Sequence, residues 1–202
     1  MNDMLEQICT RRDTWRGHQG MLNSPYSNNY GSNYGNSYDN QHAPANSDYH
    51  STGGGLTTGY STLNNELQQG GWPLDSTIEF LSDSTGLGAM GLFMPAMERL
   101  SEQGRWQVFI APPYIPYAPL LAARGIDTQQ ILLVHPKNRA DLLWATEQAL
   151  RSTTCSAVFS WLGAQEYSYG ELRKLQLAAA SGDTLSALLR PSQAGRNHSP
   201  AS

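Results

Sequence analysis

Five short apolar runs, separated by stretches with helical spacing, constrain the fold of this chain more than any other feature. They are rich in Val, Ile, Leu and Phe, as strands of buried parallel sheets are. The runs lie at 76–82, 106–111, 131–134, 156–162 and 184–189. Strands that alternate with helical crossovers predict an α/β fold, a three-layer domain with a mostly parallel sheet of about five strands.

Polar residues indicate where the later helices begin and end. Asn138 is a suitable N-cap for a helix that runs to Arg151. Ser168 and Glu171 have the spacing of a capping box, in which each side chain bonds the backbone at the other residue. Gly182 supplies the end of that second helix.

The composition changes sharply before residue 55. Residues 1–17 form the first segment, which we expect to be a short amphipathic helix or a docking segment. Its apolar side chains include Met4, Leu5, Ile8 and Trp15. Residues 18–54 consist largely of Asn, Ser, Tyr and Gly, and cannot bury enough apolar surface to offset the entropy of ordering. We predict a disordered linker at 18–54, a folded domain at 55–191 and a flexible tail at 192–202.

Charge and cysteine content narrow the classes of function. The chain has 17 acidic and 13 basic residues and no obvious basic patch, so direct DNA binding is expected to be weak or absent. Its two cysteines are far apart in the sequence and predict neither a disulfide framework nor a structural metal site. No signal peptide and no run long enough to span a bilayer is present, which predicts a cytoplasmic protein.

The segment "STIEFLSDSTGLGAMGLF", residues 76–93, has the layout of a phosphate-binding loop between a strand and a helix. When the G-x-x-x-x-G-K-[ST] pattern is placed on it, Ser82 and Leu87 stand at the two glycines. Gly88 then replaces the lysine and Ala89 replaces the magnesium-binding hydroxyl, while Gly86 keeps the loop supple. The loop is therefore degenerate.

The other residues that an ATPase needs are missing as well. The apolar run at 156–162 ends without a carboxylate for magnesium, and "APPYIPYAP" at 111–119 contains no acid to activate water. Losing these groups together removes most of the electrostatic stabilisation of phosphoryl transfer. We expect no catalytic residues, no metal, no cofactor and no enzyme activity.

Two stretches resemble a known group of proteins. "GLTTGYSTLNNELQQGGWPLDSTIEFLSDSTGLG" resembles the opening of a RecA-like core. The chain from "GGWPLDSTIEF" through "GRWQVFIAPPYIPYAPLLAARGID" to "LSALLRP" is similar to the SulA/ImuA group of RecA-like SOS-response proteins. "GGWP" and the N-terminal "RRDTWRG" favour ImuA. The likeness covers roughly residues 56–191.

The resemblance implies a non-catalytic role in the response to DNA damage, exerted through protein contacts. An ImuA-like accessory factor in translesion synthesis is the leading expectation. Its partners would be an ImuB-like Y-family polymerase homologue and an error-prone polymerase subunit, with RecA as a further candidate. The alternative is a SulA-like inhibitor of cell division that binds FtsZ and blocks septum formation.

Candidate partner-binding residues come from three places. "GRWQVFIAPP" resembles the SulA segment implicated in FtsZ contact, which singles out Arg105, Trp106 and Ile110. The proline-framed loop carries Tyr114 and Tyr117 at the carboxyl end of a predicted strand, where open α/β sheets commonly bind ligands. Trp15 is the candidate of the N-terminal segment. For Trp106 and Ile110, packing in the core is the competing interpretation.

Overall fold

The computed structural model describes residues 14–16, 54–83 and 88–201. The strands are β1 Thr14–Arg16, β2 Thr77–Leu81, β3 Trp106–Ile110, β4 Ile131–Val134, β5 Cys155–Trp161 and β6 Leu185–Arg190. The α-helices are α1 Ser61–Glu66, α2 Gly88–Ser101, α3 Ala118–Ala123, α4 Arg139–Arg151 and α5 Tyr169–Gly182. Short 3-10 helices lie at Thr128–Gln130 and Ser192–Arg196.

The strands form one sheet in the order β1-β4-β3-β5-β6-β2. Strands β2 to β6 pair in parallel throughout, which confirms the predicted five-stranded parallel sheet. Their bounds agree with the predicted runs to within one residue at each end. Hydrophobic composition located these strands because strands buried on both faces need apolar side chains at nearly every position.

The edge strand β1 is the described part of the first segment. Residues 14–16 form a strand that pairs antiparallel with β4, with Thr14 opposite Val134 and Arg16 opposite Leu132. These three residues are extended rather than helical, and a short amphipathic helix or docking segment stays a prediction for the rest of residues 1–17. The other residues of that segment, and the predicted linker up to residue 53, lie outside the described residues.

Two apolar layers sandwich the sheet, as a three-layer domain requires. Helices α2 and α3 cover one face, where Met97, Phe109 and Phe159 are almost completely buried. Helices α4 and α5 cover the other face, where Leu150 and Leu175 are equally inaccessible. Each fully buried side chain of this size contributes about 1.5–3 kcal/mol.

The predicted capping residues have the expected geometry. The Asn138 side chain accepts a hydrogen bond from the Asp141 amide at 2.9 Å, and Ser168 with Glu171 forms the complete capping box of α5. Helix α5 ends at Gly182, but Asp183 takes the left-handed conformation, with φ 47°. Gly182 is required for another reason, because a Cβ there would lie 2.0 Å from the Leu150 carbonyl oxygen.

Among the described residues, no helix combines the length and the hydrophobicity needed to cross a membrane.

Candidate functional site

The loop from β3 to α3 leaves the sheet at its carboxyl edge. Ala111 has φ 54°, a left-handed conformation that turns the chain out of β3, and its amide donates to the Val134 carbonyl at 2.8 Å. The prolines at 112, 113 and 116 follow. Each fixes φ and removes a backbone donor, so this loop is stiff and forms no regular ladder.

Four large apolar side chains of this region are strongly exposed. Tyr114 is 56% exposed, Ile115 64%, Tyr117 67% and Leu120 50%. They fall within seven consecutive residues, on the loop and the first turn of α3. We call Tyr114, Ile115, Tyr117 and Leu120 the aromatic rim. Clustered exposed apolar side chains are typical of surfaces that contact another molecule.

The aromatic rim borders a groove of about 110 Å³ between α2 and α3. Met90 and Met94 of α2 line one wall, and Tyr114, Tyr117 and Leu120 line the other. Phe109 and Trp161, whose rings stack with centroids 6.1 Å apart, also line it. We call this the apolar groove. Among the described residues its lining contains no charged side chain, so it suits an apolar side chain rather than a phosphate or a metal ion.

A second cavity, of about 370 Å³, lies at the same edge of the sheet, beside the degenerate loop. Arg190 is its only cationic lining residue among those described, and its guanidinium forms an ion pair with Glu79. Asp83 also lines the cavity and accepts a hydrogen bond from the Ser192 amide. The described lining therefore offers no unbalanced positive charge to a triphosphate.

The degenerate loop itself is only partly described. Gly86 and Leu87 lie outside the described residues, Ser82 follows β2, and Gly88 is the first residue of α2. Ala89, the second residue of α2, is buried in the core on that face of the sheet. Within the described part of the chain, no group of three His, Cys, Asp or Glu side chains is placed to hold a metal ion.

Arg105 lies at the opposite, amino edge of the sheet. Its guanidinium donates to the carbonyl oxygens of Cys155, at the start of β5, and of Gly182 and Asp183, both at 3.3 Å. We call these contacts the carbonyl clamp. It joins β3, β5 and the end of α5, so Arg105 has a structural role in this fold.

The other two residues of the "GRWQVFI" candidate set are turned toward the core. Trp106 is partly buried and packs against the α4 and α5 layer, while Ile110 is 0% exposed within that layer. Side chains alternate along β3, because Gln107 points to the opposite face and donates to the Met97 carbonyl at 2.8 Å. Ile110 cannot touch a partner without opening the core.

The sequence candidates are thus divided between two edges of the sheet. Tyr114 and Tyr117 lie together in the aromatic rim. Arg105 and Trp106 lie at the other end of β3. A five-residue strand is about 17 Å long, so the length of the strand separates them from the start of the rim loop. Trp15 belongs to β1, and its side chain lies outside the described residues.

Sequence reasoning missed Ile115, Leu120 and the two methionines of α2. Ile115 stands between the two predicted tyrosines in "PPYIPYAP". Leu120 and Leu121 are adjacent on a short helix, so they cannot both face the core. This adjacency was the sequence signal that one of the two leucines is exposed. Leu121 is 6% exposed and Leu120 is the outward one. Met90 and Met94 gave no signal, because their exposure depends on where α3 packs.

The strongest local electrostatics lie away from the apolar groove, where α4 meets α5. The hydrogen bond from Arg139, at 2.6 Å, is the main cause that lowers the pKa of Glu171 to about 2, followed by bonds from the backbone and side chain of Ser168. Burial raises the pKa of Tyr167, whose hydroxyl donates to the Leu162 carbonyl at 2.9 Å. These groups hold the helix starts together.

Comparison with known proteins gives consistent matches. The protein-family model "Cell division inhibitor SulA" matches residues 73–186. The cell division inhibitor SulA of Edwardsiella piscicida is 30% identical over 102 residues, which cover 50% of this chain and 60% of that protein. SulA of Yersinia pestis (strain Pestoides F) is 27% identical over 150 residues, which cover 73% of this chain and 83% of that protein.

The matched part spans about three fifths of the length of several of these relatives, including SulA of Pectobacterium atrosepticum at 61%. The crystal structure of SulA from Pseudomonas aeruginosa is 33% identical. The aligned region covers 56% of this chain and 95% of the chain in that crystal structure, with a TM-score of 0.44.

Proposed function

We propose that this chain inhibits cell division by binding FtsZ. The chain belongs to the SulA family of cell division inhibitors, because the family model matches more than half of its length. The proposed contact surface is the aromatic rim with the apolar groove. Inhibition of cell division through FtsZ is the alternative function that the sequence analysis stated. The ImuA-like role, with its polymerase partners and RecA, is not retained, since all the relatives described above are SulA proteins.

One observation carries the choice of surface. Four large apolar side chains, each half or more exposed, lie within seven residues beside an uncharged groove. Binding energy at protein interfaces is concentrated in a few such anchors, with tyrosine among the commonest. The stiff, proline-framed loop presents these side chains with little conformational freedom to lose on binding.

The mechanism is contact rather than catalysis. The cavity beside the degenerate loop has its arginine already paired with Glu79, so the described residues provide nothing that would hold and activate a nucleotide. The carbonyl clamp and Ile110 act indirectly in this proposal, by holding β3 and therefore the base of the rim. The inhibitor would act in the cytoplasm, where its proposed partner is found.

The test measures binding of purified chain to FtsZ, by calorimetry, together with FtsZ polymerisation by light scattering. The double substitution Tyr114→Ser and Tyr117→Ser should weaken binding at least tenfold, since loss of interface anchors costs more than about 1.4 kcal/mol. It should also relieve inhibition of polymerisation. Leu120→Ser should have a smaller effect in the same direction.

The fold supplies matched controls on the opposite layer. Tyr169 is 54% exposed and Leu177 is 54% exposed, both on α5. Tyr169→Ser and Leu177→Ser remove similar exposed surface and should leave binding unchanged. If these controls weaken binding as much as the rim variants do, the surface is wrongly placed. If the unaltered chain does not bind FtsZ at all, the proposed partner is wrong.

A further inference from the structure

Strand β1 brings the N-terminal segment to the edge of the sheet that carries the apolar groove. Thr14 is opposite Val134, the last residue of β4, and the Val134 carbonyl is bonded to the Ala111 amide at the start of the rim loop. The chain preceding Thr14 therefore starts at the carboxyl edge. The chain following Arg16 leaves toward the other edge, because Arg16 is opposite Leu132.

The distance from the start of β1 to the apolar groove is short enough for residues 1–13 to span. Strands β1 and β3 are separated only by β4, which places them about 10 Å apart. Thirteen residues span about 43 Å when extended and about 20 Å as a helix, so either conformation reaches the groove. Residues 17–53 begin at the amino edge, farther from the groove, and consist largely of Asn, Ser, Tyr and Gly.

The chemistry of the segment matches that of the groove. Met4, Leu5 and Ile8 have the spacing of one face of a helix, and the residues around them are polar or charged. The groove is uncharged and lined by methionine and aromatic side chains, which adapt to different apolar partners. A tethered segment also has an effective concentration in the millimolar range, which favours it over a second copy of the chain.

We propose that residues 1–13 bind the apolar groove of their own chain, with Met4, Leu5 and Ile8 against Met90, Met94 and Tyr117. The segment then covers the same surface that the proposed partner would use. Release of the segment is a step that precedes binding of any partner at the rim. Occupancy of the groove by residues 1–13 does not depend on FtsZ being that partner.

The test uses the full chain and a single spin label. Cys9 and Cys155, the only cysteines in the chain, are replaced by Ala, and a nitroxide is attached through Asp3→Cys, on the polar side of the segment. Amide signals of Met90, Met94 and Tyr117 should lose most of their intensity through paramagnetic broadening. Signals of Tyr169 and Leu177 on the opposite layer should keep theirs.

Two variants and one mixing experiment decide the result. Adding Leu5→Asp and Ile8→Asp should restore the groove signals, whereas the matched polar substitution Glu6→Gln should not. An unbroadened groove in the labelled chain, or broadening that survives the double substitution, would overturn the proposal. So would broadening of an unlabelled isotope-enriched chain by a spin-labelled one, since that result would identify a second copy as the occupant.

A separate measurement distinguishes this proposal from the proposed function. If both hold, Leu5→Asp with Ile8→Asp should increase the affinity for FtsZ severalfold, because the competing segment is removed. If FtsZ is not the partner, neither chain binds it, but the broadening and its loss remain as stated. An affinity for FtsZ that the double substitution leaves unchanged would contradict coverage of the shared surface.

Discussion

The two ends of strand β3 make opposite use of large side chains. At the amino end, Arg105 donates to three backbone carbonyls and Trp106 packs on the core. At the carboxyl end, Tyr114 and Tyr117 are more than half exposed beside an uncharged groove. One end maintains the fold, and the other is available to a partner.

This difference shows that weaker binding to the proposed partner can have two physical causes within one short stretch of sequence. Substitutions before Ala111 remove contacts that hold β3 in the sheet. Substitutions in the aromatic rim, which follows it, remove side chains that are half or more exposed. Stability and binding must therefore be measured together before a residue is assigned to the partner surface.

The largest expected effect is that of Ile110→Ala. Ile110 is 0% exposed, and truncating a buried isoleucine costs about 2–5 kcal/mol because it loses apolar burial and leaves a cavity. Urea unfolding measures this directly. The matched exposed substitution Tyr117→Ser should change the free energy of unfolding by no more than about 0.5 kcal/mol. Equal losses at the two positions would break the comparison.

A smaller loss is expected for Arg105→Met, which keeps the apolar stem and removes the carbonyl clamp. Hydrogen bonds from a charged donor contribute about 1.5–3 kcal/mol, and here the Cys155 carbonyl retains a bond from the Thr184 hydroxyl at 3.0 Å. We expect a decrease of about 1–3 kcal/mol in thermal or urea unfolding. The control is Arg173→Met, on the exposed side of α5. Unchanged stability with lost FtsZ binding would make Arg105 a direct contact.

The smallest effect concerns Glu171 and sharpens the comparison at the carboxyl edge. Its pKa is lowered from 4.5 to about 2, so its contribution is present above about pH 4.5 and is lost as the pH falls toward 2. In Glu171→Gln the free energy of unfolding should therefore fall less between about pH 4.5 and pH 2 than in the unaltered chain, by about 1 kcal/mol or less. Acid unfolding followed by circular dichroism measures this. Identical unfolding curves for the variant and the unaltered chain would contradict this role of Glu171.

The parallel strands were predictable because they are local and apolar, and the helix starts at Asn138 and Ser168 were predictable from capping chemistry. The carbonyl clamp was not, since the partners of Arg105 lie 50, 77 and 78 residues away in sequence. Strand β1 was not predictable either. It has three residues, and only the free edge of β4 makes it a strand.

For the candidate site, sequence reasoning found Tyr114 and Tyr117 because prolines mark the loop. Their role as partner contacts remains a prediction. It did not find Ile115 or Leu120, whose outward orientation depends on the packing of α3. Sequence reasoning also ranked ImuA before SulA, because it took "GGWP" and "RRDTWRG" as favouring ImuA.

Strand β1 also has a consequence for the integrity of the molecule. It is joined to the rest of the described domain only through residues 17–53, and it occupies the edge of β4 with three residue pairs. A single proteolytic cut within those residues would leave β1 held by noncovalent contacts alone. Its departure would uncover the backbone donors and acceptors of a fully apolar strand, a template for self-association and precipitation.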